Sequence, residues 1–334
     1  MVEVKSEIFF LTQTWQRICM AVTTVLKYYC MKIKLNKIWM ILLTIIMTFS
    51  FMSWISSRSQ SKLPGPIVTD SLAVQKRVLS YLNQQKWNEL FPHRYGIQSA
   101  NSKNGLSDFY SFDAFLNAVK FFPEFLDVKD KVLQKRELAA FLANMAYETG
   151  GGWPDSPDGY FKWGLHFVEE QGCTKGCPQY TDTSKKDWMP VVGKSYHGRG
   201  PLQLSWNYNY GQFSQFFYGN KDSLLLHPEI VAENSLVSFA SALWFWMHAQ
   251  KPKPSCHAIM AGSWKPNGYD SVRNILPGFG AVVNIINGGI ECGTGKPDGT
   301  YSRVGYYQYF CNYFKVSTGT DSSCMEQKPF NSIN

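Results

Sequence analysis

The chain has 334 residues, of which 45% are hydrophobic and 17% are charged. This length and composition exclude a disordered, collagen-like or coiled-coil protein. The formal net charge is +8, but residues 1–62 hold eight Lys and Arg against Glu3 and Glu7. The rest of the chain carries 25 basic and 23 acidic side chains, so we expect no nucleic-acid partner.

Residues 38–55 form an uncharged apolar stretch preceded by Lys32, Lys34 and Lys37. A signal peptide has an apolar core of about 7–15 residues, whereas a membrane anchor needs about 18 or more. A cleaved signal peptide and a signal anchor therefore both stay open, and in either case the residues that follow are exported. We predict a targeting segment with a linker over residues 1–62 and a globular part over 63–334. That part is expected outside the cytoplasm, either secreted or anchored to the membrane through 38–55.

Six cysteines lie in the globular part: Cys173, Cys177, Cys256, Cys292, Cys311 and Cys324. An even number of cysteines fits disulfides in an oxidising compartment. A zinc site is disfavoured because Cys173 and Cys177 have no second pair or histidine at ligand spacing.

Helical spacing of apolar residues predicts most elements of the globular part. In chain order we predict helices near 71–90, 111–121, 131–149, 205–218, 236–249, 279–287 and 300–314. Asn234 could cap the helix near 236–249, which is apolar nearly all round and is expected at the centre of a domain. Short strands are expected within Pro190–Leu204. These elements predict one mainly helical domain over about 70–330 with a small β element.

Three carboxylates have a pattern that fits acid–base chemistry. Glu148 ends a predicted helix on its apolar stripe, where partial burial and the helix C-terminus both favour a protonated carboxyl. Glu169 and Glu170 follow on a segment rich in Gly, Pro and aromatics, which predicts a loop. A loop carboxylate that faces a helix carboxylate across a cleft is the arrangement that glycoside hydrolysis uses.

Three strings resemble signature segments of the family 19 chitinases, the plant-type lysozyme-like enzymes. They are AYETGGGWPDSPDGYFKWG (146–164), GRGPLQLSWNYNYG (198–211) and NIINGGIECG (284–293), and the resemblance covers about residues 74–326. It implies a mainly α, α+β lysozyme-like fold, a helical bundle with a small β element and two lobes around a substrate cleft. It also implies endo-acting hydrolysis of chitin or chitooligosaccharides with inversion, by a monomer with no metal or organic cofactor.

The resemblance assigns roles to individual positions. Glu148 corresponds to the general acid, Glu170 to the general base, and Ser205 to the hydroxyl that helps to hold the attacking water. Residues that match the sugar cleft are Trp188, Tyr196, Gln203, Tyr208 and Asn209. Asn287, Glu291 and Arg303 match a polar network on the opposite wall, and their Arg–Glu pair is expected to lie near Glu170.

Disulfide pairing is also implied in part. Cys292 and Cys324 match a disulfide of the family, whereas the pairs Cys173–Cys177 and Cys256–Cys311 are guesses. The chain departs from the family at Ala240, where a lysine is usual, and at His166, which replaces a cysteine. The lysine is a sugar contact at one end of the cleft, so that contact is in doubt here.

Two alternatives to chitin hydrolysis stay open. One is a peptidoglycan hydrolase of the same fold, because peptidoglycan also contains β-1,4-linked N-acetylglucosamine. The other is a sugar-binding relative without turnover, which would require that Glu148 or Glu170 be misplaced. The strings PDGYFKWG and SWNYNYG and the near-neutral charge of residues 63–334 favour chitin.

Overall fold

The computed structural model describes residues 71–95, 108–173, 175–296 and 298–330. The chain divides into two compact units, Met1–Leu63 and Pro64–Asn334, and all described residues belong to the second. The apolar stretch 38–55 lies outside the described residues. Within the described ranges, no helix is long and apolar enough to cross a membrane.

Twelve α-helices form the described part of the chain. They are α1 (Ser71–Leu79), α2 (Gln84–Leu90), α3 (Phe112–Val119), α4 (Lys131–Glu148), α5 (Asn207–Tyr218), α6 (Asp222–Leu226), α7 (Ile230–Glu233), α8 (Ser235–Met247), α9 (Cys256–Met260), α10 (Gly268–Ser271), α11 (Phe279–Glu291) and α12 (Arg303–Tyr313). Short 3-10 helices lie at Tyr160–Trp163, Pro178–Tyr180 and Lys186–Trp188.

Side-chain caps fix where many of these helices begin. Ser111, Asp130 and Asn234 each accept a hydrogen bond from a backbone N–H of the helix that follows. Such caps satisfy donors that have no partner inside the helix. Six of the seven predicted helices are confirmed by this structure. The prediction of one helix near 71–90 is wrong, because Asn83 caps α2 and so separates it from α1.

The core lies between α4, α8 and the helices packed on them. Residues 137–146 of α4 and nine of the thirteen residues of α8 are buried, in agreement with the central position predicted for α8. α4 packs against α12, and α8 packs against α3. Trp87 of α2 stacks on Phe115 of α3 with ring centroids 5.3 Å apart, which closes the core on that side.

The β element is smaller than the sequence predicted. Within the described ranges it is limited to isolated bridges, which pair Glu169 with Arg199, Arg199 with Leu204, and Gln250 with Lys253. The first two hold the segment that carries Glu170 against the segment that leads to α5. The mainly helical fold with a small β element is thus confirmed.

The structure contains the disulfides Cys292–Cys324 and Cys173–Cys177. The predicted pair Cys256–Cys311 is wrong, since both thiols are free and buried, in α9 and α12 respectively. Burial raises the pKa of Cys311 to about 11 and that of Cys256 further, so both behave as small apolar residues.

Candidate active site

A cleft of about 550 Å³ brings together residues from α4, α5, α8 and α11 and from the loops between them. Its walls contain six of the residues predicted for the site: Glu148, Glu170, Gln203, Ser205, Asn209 and Asn287. These side chains come from four separate stretches of sequence. The fold therefore collects carboxylates, amides and a hydroxyl around one space large enough for a ligand.

Glu148 is the last residue of α4, and Arg303 at the start of α12 holds its carboxylate. Arg303 Nη2 lies 2.7 Å from Glu148 Oε1, and the Arg303 side chain is only 1% exposed. The guanidinium also donates to both carboxylate oxygens of Glu291, at 2.6 and 3.1 Å, and to Asn144 Oδ1 at 2.9 Å. The buried guanidinium of Arg303 thus forms ion pairs with two carboxylates.

The charge of Arg303 is strongly stabilised in this position. Burial alone would lower the pKa of Arg303, but Glu148 and Glu291 outweigh that effect and raise it. The guanidinium lies over the ring of Tyr147, with the carbon Cζ 4.4 Å from the ring centroid. We predicted that the Arg303–Glu291 pair lies beside Glu170, and the structure instead places it beside Glu148.

Glu170 has a different environment. Its Oε1 accepts a hydrogen bond from the Tyr180 hydroxyl at 2.8 Å, and its Oε2 accepts one from the Gly198 N–H at 3.1 Å. Contact with the Glu170 carboxylate is one cause of the rise in the pKa of Tyr180 to about 12, after the larger effect of burial. Glu170 thus has two neutral donors where Glu148 has a cation.

Glu169 also lines the cleft, but its carboxylate has a different set of partners from that of Glu170. Its carboxylate Oε2 lies 3.0 Å from His197 Nε2 and 3.2 Å from Arg199 Nε. The hydrogen bond from His197 lowers the pKa of Glu169, and Arg199 adds to this against the opposing effect of burial. Glu169 is therefore held as a carboxylate in a structural network.

Ser205 lies where the chain enters α5. Its hydroxyl donates to the Gln203 carbonyl at 2.8 Å, and its own carbonyl accepts from Asn209 Nδ2 at 2.9 Å. With its proton used in this way, the Ser205 oxygen can still accept a hydrogen bond from a molecule in the cleft. Gln203 has a φ of 48°, in the left-handed region, which turns this segment toward α5.

A kink in α11 sets the position of Asn287. It has φ −142° and ψ 33°, which interrupts the helix four residues before its last residue, Glu291. Its side-chain Nδ2 donates to Glu291 Oε1 at 2.9 Å. Asn287 therefore lines the cleft while it also supports the carboxylate that pairs with Arg303.

Three residues predicted to line the cleft do not. Tyr196 is fully buried, donates its hydroxyl proton to the Leu225 carbonyl at 2.8 Å and accepts from the Val191 N–H at 2.8 Å. Trp188 packs on Gly211 of α5 and lines a separate groove of about 290 Å³. Tyr208 stacks on Trp206, and only Trp206 reaches the cleft wall.

The position of Trp188 has a clear steric cause. A Cβ added at Gly211 would lie 2.6 Å from Trp188 Cε3, so only glycine lets the indole pack this closely on the helix.

Ala240 is fully buried in α8. Ala240 therefore does not replace the sugar contact made by the lysine that is usual at this position in the family.

The sequence did not indicate several residues that line the cleft. They are Phe167, Gln171, Tyr180, Gly198, Leu202, Leu204, Trp206, Phe245, Ile286 and Ile290. Ile290 is 78% exposed, so much of its apolar side chain is accessible at the edge of the cleft. The signal that could have pointed to Tyr180 is its position just after Cys177 and Pro178, which fix the loop.

The family model described as chitinase class I, of glycoside hydrolase family 19, matches residues 82–324. The chain belongs to the family 19 chitinases. It is thus a glycoside hydrolase, and its fold is the lysozyme-like fold of that family.

Sequence relatives of this chitinase include plant enzymes. Chitinase 1 of Oryza sativa subsp. japonica is 44% identical over 255 residues, which cover 76% of each chain. Endochitinase A2 of Pisum sativum is 42% identical over 253 residues, which cover 76% of this chain and 74% of that protein.

Solved structures give the same relationship. A bacterial family 19 chitinase matches with a TM-score of 0.55 and 29% identity over 73% of this chain and all of that chain. A class IV family 19 chitinase from Zea mays matches with a TM-score of 0.51 and 30% identity, over 73% of this chain and 98% of that chain.

Proposed function

We propose that this chitinase hydrolyses β-1,4-linked N-acetylglucosamine polymers within the chain and with inversion at the anomeric carbon. Glu148 is the general acid, Glu170 is the general base, and Ser205 helps to hold the attacking water. The observation that carries the proposal is the placement of Glu148 and Glu170 on one cleft in two different electrostatic environments. Such a division of environments is what lets two carboxyl groups take the roles of acid and base.

Arg303 fixes the position of the acid proposed at Glu148. It contacts Glu148 and Glu291 at the same time, so its positive charge is shared between two carboxylates. Its guanidinium sets the direction of the Glu148 carboxyl at the end of α4, on the wall of the cleft. A general acid has to be held in a fixed direction to give its proton to the glycosidic oxygen.

The contacts of Glu170 suit a base. The Tyr180 hydroxyl and the Gly198 N–H both donate to its carboxylate, one to each oxygen. They also fix the direction of the carboxylate, which has to take a proton from a water on the face of the sugar opposite Glu148. Ser205 lies on the same cleft with an oxygen free to accept from that water.

The lining of the cleft suits a neutral, N-acetylated sugar. The Gln203, Asn209 and Asn287 amides can bond hydroxyl and acetamido groups, and Trp206 and Phe245 offer flat apolar surfaces.

Export is proposed on two grounds, the two disulfides and the cluster of lysines before residues 38–55.

Product analysis by proton NMR on chitohexaose tests this proposal. The wild type is expected to release α-anomers first, and Glu148→Gln is expected to lose activity by about 10²- to 10⁴-fold because it cannot donate the proton. Glu89→Gln is a matched control, since Glu89 is exposed and lies outside the cleft. Early β-anomers would overturn inversion, and a wild type that cleaves no chitooligosaccharide at any pH would overturn chitin hydrolysis.

A further inference from the structure

We propose that Glu169, His197 and Ser195 form a side-chain relay that positions the general base Glu170 and is required for turnover rather than for substrate binding. This inference rests on the role proposed above for Glu170. The sequence singled out Glu169 only as a neighbouring carboxylate and gave no role to His197 or Ser195, neither of which lines the cleft.

The backbone places the relay directly behind Glu170. The Glu170 N–H donates to the Gly198 carbonyl at 2.9 Å, the Gly200 N–H donates to the Val168 carbonyl at 2.8 Å, and Glu169 forms a bridge with Arg199. Successive side chains of an extended segment point to opposite faces. Glu170 accepts from Tyr180 in the cleft, whereas the carboxylate of Glu169, which also lines the cleft, is bonded to His197.

Hydrogen bonding assigns the tautomer of His197. Ser195 Oγ accepts from the Cys177 N–H at 2.8 Å, so its own proton is available to His197 Nδ1, also at 2.8 Å. Arg199 Nη2 lies 3.4 Å from the same nitrogen and is a donor as well. His197 Nδ1 is thus the acceptor, and Nε2 carries the proton that is donated to Glu169.

The relay connects the two segments that hold the base. One end is the Cys173–Cys177 loop, which leads to Tyr180, the donor to Glu170 Oε1. The other end is the Glu169 side chain, next to Glu170 itself. His197 lies between them and is followed by Gly198, whose N–H donates to Glu170 Oε2.

Burial makes this arrangement rigid. The His197 and Arg199 side chains are only 4% and 7% exposed, and Arg199 Nη1 is fixed by the Tyr210 hydroxyl at 2.9 Å and the Ser195 carbonyl at 3.0 Å. A hydrogen-bonded network whose central members are buried is held in one geometry, and it loses that geometry when such a member is removed. Loss of His197 would therefore free the backbone on both sides of Glu170.

The test is steady-state kinetics of His197→Ala on chitohexaose. A misplacement of a catalytic group by about 1 Å reduces the rate by about 100-fold, so we expect kcat to fall by about that factor while KM stays within about twofold. His197→Gln retains an N–H donor for Glu169 and should recover part of the activity. His227→Ala is the matched control, because His227 also contacts a glutamate, Glu229 at 3.2 Å, but is exposed.

A double-mutant cycle separates positioning of the base from a general effect on the fold. If His197 acts through Glu170, His197→Ala should cause no further loss of kcat in the Glu170→Gln variant. An equal loss in both backgrounds would overturn the proposal, and so would wild-type kcat in His197→Ala. If His197→Ala does not fold, Ser195→Ala takes its place in the cycle, with the same outcomes. A wild type inactive on chitohexaose would instead reject the proposed function, and the role of the relay with it.

Discussion

Arg303 fixes the position of the Glu148 carboxyl, and an arginine is needed for this. Its guanidinium bonds Glu148, Glu291 and Asn144 at the same time. A lysine would keep the positive charge but has a single ammonium group, which cannot reach all of these acceptors. The substitution Arg303→Lys therefore separates the effect of geometry from the effect of charge.

We expect Arg303→Lys to lower kcat by about 10- to 100-fold, because Glu148 would lose its fixed direction. Each buried acceptor left without a donor costs about 1–3 kcal/mol, so the free energy of unfolding should fall by at least that amount. Kinetics on chitohexaose and urea unfolding measure the two effects. Arg136→Lys is the control, as Arg136 bonds Ser317 in an exposed position. An Arg303→Lys variant with wild-type kcat would contradict this view of Glu148.

At the scale of the helices, Glu137 joins three elements inside the core. It is a fully buried residue of α4, and its Oε1 accepts from Trp246 Nε1 of α8 at 3.1 Å and lies 2.7 Å from His257 Nδ1 of α9. Burial opposes a charged imidazole, but Glu137, with smaller effects from Glu124 and Asp127, raises the pKa of His257 above its usual value. The interaction therefore favours protonated His257 in the folded protein.

This shift predicts how stability depends on pH. A group whose pKa is raised on folding contributes stability fully below its unfolded pKa, about 6.5 for histidine, and loses it as pH rises through the folded value. Wild type should therefore exceed His257→Asn in free energy of unfolding by more at pH 6 than at pH 9. Urea unfolding of both proteins at the two pH values measures this difference. A difference that does not change with pH would contradict the role of His257.

The elements were predictable where local chemistry determines them. α4 and α8 agree with prediction to within one or two residues, because each combines a capping side chain with a continuous buried surface. The short helices α6, α7, α9 and α10 were not predicted, since four or five residues are too few to show helical periodicity. The break between α1 and α2 was missed because apolar spacing alone does not reveal a cap at Asn83.

Contacts between residues that are distant in sequence were predicted less well than the helices. Family resemblance indicated Glu148 and Glu170, but it did not indicate that Arg303 pairs with Glu148 or that Tyr180 donates to Glu170. Trp188 and Tyr196 have aromatic side chains that suit either a sugar site or a core. Only tertiary contacts decide between these. Trp188 packs on Gly211, and the Tyr196 hydroxyl bonds the backbone of Val191 and Leu225.

For the whole molecule, charge distinguishes between the two polymers that share N-acetylglucosamine. Residues 63–334 carry 25 basic and 23 acidic side chains, so this part of the enzyme has little attraction for an anionic cell wall. Chitin is neutral, and its hydrolysis should not depend on long-range electrostatic attraction. Salt concentration tests this directly, because about 0.1 M salt already screens exposed charges beyond about 10 Å.

We therefore expect kcat/KM on chitohexaose to change by less than about twofold between 50 and 500 mM NaCl. Peptidoglycan should be cleaved far more slowly at every salt concentration. Within the described residues, the cleft is lined by the carboxyl side chains of Glu148, Glu169 and Glu170 and by no Lys or Arg, which disfavours an anionic polymer. Parallel assays on the two polymers with one enzyme preparation measure both effects. A steep loss of activity with salt, or faster release from peptidoglycan than from chitin, would favour a cell-wall hydrolase of the same fold instead.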